Sequence, residues 1–177
     1  MSVPPHAVQL NEANDFLKKH PEVQFVDLLI ADMNGVVRGK RIERASLHKV
    51  YQRGINLPAS LFALDINGST VESTGLGLDI GDSDRVCYPI PNTLCNEPWQ
   101  KRPTAQLLMT MHEMEGEAFF ADPRAVLQQV VKKFDALGLT ICAAFELEFY
   151  LIDQANVNGR PQPPMSPLSG KRPQSTQ

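Results

Sequence analysis

Residues 23–42 read VQFVDLLIADMNGVVRGKRI, and this stretch limits the fold more than any other. Two β-rich runs flank the dipeptide Asn34-Gly35. Both residues tolerate positive φ, so the dipeptide is a strong short-range signal for a β-hairpin. A chain with this hairpin near its start must find further strands for it, because an isolated two-stranded ribbon is marginal in water.

The flanking segments supply helices. Asn11 is positioned to cap a short helix that runs to about Lys19 and turns Phe16 and Leu17 inward, with Pro21 ending it. ERASLHKVYQRG predicts a second helix, with Leu47, Val50 and Tyr51 on one face and Gly54 as its stop. Residues 55–104 are less regular: PASLFALDINGS, a Gly-rich connection, a short strand RVCYPI and a Pro-rich loop. AQLLMTMHEMEGEAF then predicts a strand, a turn at Glu115-Gly116 and a return.

The last third has the sharpest pattern. Asp122 is a good N-cap and Pro123 suits the first helical position. Leu127, Val130, Val131, Phe134 and Leu137 recur at helical spacing up to Gly138. LTICAAFELEFYLID predicts a long strand, and residues 154–177 predict loop or disorder. The pattern is α+β, with a boundary near residue 100: a β-rich unit over 1–100 and the start of an α/β unit over 101–177.

Charge and cysteine usage narrow the function. A formal net charge of -3 without a basic cluster argues against nucleic acid. No apolar run approaches the roughly 18 residues that span a bilayer, and the N-terminus lacks signal-peptide character, so the expectation is a cytoplasmic protein without a membrane. Cys87, Cys95 and Cys142 are widely spaced, with no C-x-x-C pair, and are read as reduced thiols, Cys142 as core.

The feature that carries chemistry is FELEFY, residues 145–150. In a strand Glu146 and Glu148 share a face, about 6.5–7 Å apart. Phe145, Leu147 and Phe149 share the other. Three readings are open: a solvated outer face, a general acid/base pair as in glycoside hydrolysis, and a hard-cation site in which a metal offsets two like charges.

DPRAVLQQVVKKFDALGLTICAAFELEFYLID resembles the helix–strand segment that opens the catalytic domain of the glutamine synthetase family. FVDLLIADMNGVVRGKRI is similar to that family's N-terminal β-grasp domain, and GDSDRVCYPIP to its E-S-D-M-x-L-x-P-D region. The resemblance implies a β-grasp domain followed by the beginning of a glutamine-synthetase-type catalytic domain. It implies an ATP-dependent ligase that phosphorylates the γ-carboxylate of glutamate and transfers the acyl group to an amine. On this resemblance Glu146 and Glu148 match metal ligands for Mg2+ or Mn2+, ATP is a co-substrate, and the assembly is a homo-oligomer, a dodecameric ring in the full-length family.

One departure bears on the acceptor. Family members that use ammonia carry F-D-G-S-S in a loop meeting the neighbouring subunit; the matching place here is Leu57-Pro58-Ala59-Ser60-Leu61, with Pro in place of Asp. The wording is similar to the gamma-glutamylpolyamine synthetases, gamma-glutamylputrescine synthetases in particular, which implies putrescine or a related amine as acceptor. Ser60, Asp65 and Asp84 are the substrate-proximal candidates, Asp65 with an ordinary turn role as its alternative. The histidines match none of the family's catalytic motifs. The resemblance further implies that these 177 residues are an N-terminal portion without ligase activity of its own. The alternatives are a glutamine synthetase using ammonia and a non-catalytic module that kept the fold.

Overall fold

A computed structural model describes residues 10–173. It divides into two compact units, Met1–Leu139 and Thr140–Gln177.

The first unit is built on one mixed sheet. β1 (Phe25–Ala31) pairs antiparallel with β2 (Val37–Glu43), from Phe25 opposite Glu43 to Ala31 opposite Val37. The connecting turn forms where the sequence predicts it, but only Gly35 takes positive φ. Asp32, whose side chain is fully buried, organises that turn. Its carboxylate accepts from the backbone N–H groups of Asn34 and Val36, at 2.8 and 2.9 Å, and from Arg38 Nε at 3.0 Å.

β3 (Ile55–Pro58), β4 (Asp84–Pro89), β5 (Cys95–Asn96) and β6 (Thr104–His112) complete the sheet, in the order β2-β1-β6-β4-β3 with β5 also on β6. β6 is the hub, parallel to β1 and antiparallel to β4 and β5. The boundary expected near residue 100 is therefore not where the compact units divide. The strand beyond it is hydrogen-bonded into the middle of the N-terminal sheet, and the division falls after Leu139.

Alternation explains the core. Val26, Leu28 and Ile30 of β1 and Ala105, Leu107, Met109 and Met111 of β6 are buried on one face. Against it lie α1 (Leu10–Lys19) with Ala13 and Leu17, and α2 (Leu47–Arg53) with Leu47, Val50 and Tyr51. Burying each of the larger side chains contributes about 1.5–3 kcal/mol. Arg44 fastens the end of α1 and the connection from α1 to β1: its guanidinium donates to the carbonyls of Leu17, His20 and Val23. Gly54 stops α2 at φ 69°, as its position predicts.

α3 (Pro123–Ala136) is capped as expected, Asp122 accepting from Arg124 N–H at 2.9 Å. The same carboxylate accepts from Thr110 Oγ1 and Met111 N–H, so the cap also holds the helix to β6. The apolar stripe of α3 is not core: Leu127 and Leu137 are 62% and 74% exposed, and of the helix residues only Ala125 is buried.

The second unit corrects the sequence reading. LTICAAFELEFYLID forms no strand; residues 139–153 are irregular. Among the described residues no backbone hydrogen bond starts or ends on 140–152. The physical reason is that a strand exists only through a partner's backbone, and alternation by itself supplies none. Both faces that alternation would create are exposed, Phe145 at 94% and Tyr150 at 96%. Cys142 is exposed as well, not core. Beyond it a two-residue ladder joins β7 (Asn156–Val157) to β8 (Arg160–Pro161), and Asp153 pairs with Arg172 at 2.8 Å.

Candidate functional site

In the first unit the candidates gather at one end of the β3–β4 ladder. Pro58 lies directly opposite Asp84. The chain then enters a 3-10 segment, Ala59–Ala63, whose five residues are all buried. Ser60 is among them, and its N–H donates to Asp82 Oδ1 at 3.3 Å. Ala59 N–H donates to Ser83 O at 3.2 Å. Asp84 itself is exposed at the start of β4. Ser60 and Asp84 are thus brought to one place, and Asp82 joins them. Sequence reasoning misses Asp82, because a carboxylate in G-D-S-D reads as turn chemistry until its bond to Ser60 is seen.

Asp65 does the work of a turn residue. Its Oδ1 accepts from Asn67 N–H at 2.8 Å and Ser69 N–H at 2.9 Å, which folds the chain back so that Leu64 bridges Thr70. The loop is tied to the hairpin by Asn34 Nδ2, which donates to Leu64 O at 2.8 Å.

Glu146 and Glu148 belong to the second unit, both exposed on the irregular segment. No hydrogen bond or ion pair engages either carboxylate among the described residues. They are hard oxygen donors, the type Mg2+ and Mn2+ take. Two donors fill only part of such a shell, and no group of three or more His, Cys, Asp or Glu able to hold a metal occurs among the described residues. The donor chemistry fits a divalent cation whose remaining ligands are water or phosphate oxygens.

The histidines take structural partners. His48 Nε2 lies 2.7 Å from Asn14 Oδ1, His112 Nδ1 lies 3.2 Å from Gly116 O, and His20 packs on Phe16 with the rings tilted by 40° and their centroids 4.6 Å apart. His6 lies outside the described residues. Burial, reinforced by the charge of Asp122, pushes the Cys87 thiol up to about 12. No described helix is long and apolar enough to cross a membrane.

Residues 120–177 match the family model described as glutamine synthetase, catalytic domain. The chain belongs to the glutamine synthetase family. Among its relatives, gamma-glutamylputrescine synthetase PuuA of Escherichia coli is 40% identical over 162 residues, which cover 91% of this chain and 34% of the relative. Glutamate–isopropylamine ligase of a Pseudomonas species is 32% identical over 149 residues, 83% of this chain and 32% of that one. The chain therefore spans about a third of the length of these curated relatives. Solved structures agree on the fold. A novel glutamine synthase homolog superposes with a TM-score of 0.57 at 21% identity, over 65% of this chain and 27% of that one. A GmaS/ADP complex gives 0.53 at 22%, over 70% and 25%.

Proposed function

We propose that this chain is part of an ATP-dependent glutamate–amine ligase whose acceptor is putrescine or a related polyamine. The observation that carries the proposal is that the segment matched to the glutamine synthetase catalytic domain contains Glu146 and Glu148. Support for the acceptor comes from the 40% identity to a relative named for putrescine, together with Pro58 at the loop position where ammonia users have Asp.

In this reading an oxygen of the glutamate γ-carboxylate attacks the γ-phosphorus of ATP, and ADP departs. The amine nitrogen then attacks the acyl carbon of the γ-glutamyl phosphate, phosphate leaves, and the nitrogen loses a proton. Glu146 and Glu148 would hold Mg2+ or Mn2+, which when bound neutralises charge on the phosphates. Ser60, Asp65 and Asp84 are assigned to the acceptor end, in a β-grasp-type domain that completes a neighbouring subunit's site in a ring. Asp84 is the strongest of the three, because Ser60 is buried and the Asp65 carboxylate already serves its own turn.

The metal assignment is tested on the chain itself. Mn2+ titration followed by electron paramagnetic resonance should show weak, saturable binding. Glu146→Gln and Glu148→Gln should each weaken it about tenfold or more, in the range found for lost ligand-shell contacts. Unchanged binding in both variants would remove these residues from the metal site.

A further inference from the structure

Arg85 stands where the family's E-S-D-M pattern has Met, directly after Asp84. A cation beside a residue assigned to the acceptor end calls for a physical account. Neighbouring residues of a strand project to opposite faces, so the side chains of Asp84 and Arg85 diverge across β4. Arg85 reaches the Asp84 backbone instead of its carboxylate. Its Nη1 donates to Asp84 O at 3.3 Å and to Ser83 Oγ at 2.8 Å.

The other side of the guanidinium is fixed as well. Nε donates to Glu113 Oε2, in an ion pair whose side chains are 23% and 30% exposed. Glu113 directly follows β6 and is held in its own turn, its N–H donating to Glu117 O at 2.8 Å and its carbonyl accepting from Gly116 N–H at 2.9 Å. The guanidinium carbon also lies 5.7 Å from the centre of the Phe119 ring. Phe119 is fully buried, and its ring centre is 5.8 Å from that of Phe62, in the 3-10 segment that carries Ser60.

Arg85 thus joins the end of β6 to the turn at residues 82–84, and that turn in turn holds the neighbouring loop. Ser83 O accepts from Ala59 N–H at 3.2 Å, and Asp82 Oδ1 accepts from Ser60 N–H at 3.3 Å. Both bonds are at the long end of the N–H···O range, so they last only while the turn stays in place. Charge completes the case. A lone guanidinium here would offset Asp84 and oppose a cationic acceptor. Glu113 cancels that charge, so the anchor adds none of its own to this end of the sheet.

We propose that Arg85, neutralised by Glu113, is a positioning residue that fixes the 82–84 turn against the Pro58–Ser60 loop. The proposal deepens the ligase reading of this end of the molecule and rests on it.

Hydrogen exchange of the Ala59 and Ser60 amides reads the positioning on the chain itself. Arg85→Met should speed their exchange about tenfold or more, the scale of a lost charge-assisted hydrogen bond. The Arg44 amide, which donates to Gln24 O beyond the opposite edge strand, should keep its protection. Arg85→Lys, which keeps the charge but not the fork of donors, should fall between. In a polypeptide that carries residues 1–177 with a complete catalytic domain, both variants should raise the putrescine KM more than they lower kcat, the mark of lost binding. Glu113→Gln keeps an acceptor for Nε but leaves the guanidinium unbalanced. It should raise the same KM, with the effect shrinking in high salt and the Ala59 and Ser60 amides unchanged. A plain structural ion pair would lower the urea midpoint and leave those amides and the acceptor KM alone. That result, or a folded Arg85→Met variant equal to its parent in both, overturns the proposal. Should Arg85→Met fail to fold, Arg85→Lys and Glu113→Gln decide the matter on the same readouts. If the unmodified polypeptide releases no phosphate with any amine, the ligase reading fails, and amide exchange alone decides whether Arg85 positions the loop.

Discussion

Pro58 and Asp84 face each other across the β3–β4 ladder. Directly opposed residues of an antiparallel pair project on the same face of the sheet with Cβ atoms about 4.5–5.5 Å apart. The loop position that lacks a carboxylate therefore sits beside one supplied by the next strand.

For the proposed ligase this makes Asp84 the acceptor-side charge. In a polypeptide that carries residues 1–177 with a complete catalytic domain, phosphate release should be greater with putrescine than with ammonia. Asp84→Asn should lower the putrescine rate about tenfold or more, as expected for a lost charge-assisted contact. If ammonia proves the better acceptor, the reading of Pro58 is wrong.

Gly39 should tolerate no side chain. It lies opposite Leu29 with φ 152°, and a methyl built on it would penetrate the Leu28 carbonyl. The obstacle is backbone, which has no flexible end to move. Gly39→Ala should cost about 2–3 kcal/mol through strain of this kind, read as a lower urea midpoint with an unchanged slope. Gly35→Ala is the contrast: its φ is positive but no atom lies within 4 Å, so only the smaller conformational penalty of about 1 kcal/mol should appear.

Acid should unfold the hairpin turn through Asp32. Burial by itself would raise its pKa, but the Val36 N–H, the Arg38 guanidinium and the Asn34 N–H outweigh it and hold the carboxyl below its usual 3.8. A depressed native pKa contributes stability that is complete above the unfolded value and is lost as pH falls through the native one. Thermal melts should therefore fall as pH drops below about 4, and Asp32→Asn should be less stable at neutral pH with a flatter acid limb.

The three thiols should divide two to one. Cys95 and Cys142 are exposed, while Cys87 is buried with its thiol pushed up to about 12. A thiol reagent at neutral pH should titrate two sites quickly and the third only on unfolding, since the thiolate is the reactive form. Three fast sites would show that the β4 core opens readily.

At Asp122, at Gly54 and at the 23–42 hairpin, local chemistry alone determined the structure, because a cap, a positive-φ stop and a turn are settled within a few residues of chain. The Glu146-x-Glu148 pair, with its flanking residues, carried the resemblance to the family. Tertiary structure decided what local pattern cannot. It placed β6 at the centre of the N-terminal sheet, since parallel pairing with β1 joins residues about eighty positions apart. It withheld a strand from 139–153, because alternation of apolar residues states which faces a strand would have but not whose backbone will bond to it. It also set Asp84 opposite Pro58 and brought Asp82 within hydrogen-bond reach of the Ser60 N–H; each of these depends on segments that meet only after the chain has folded.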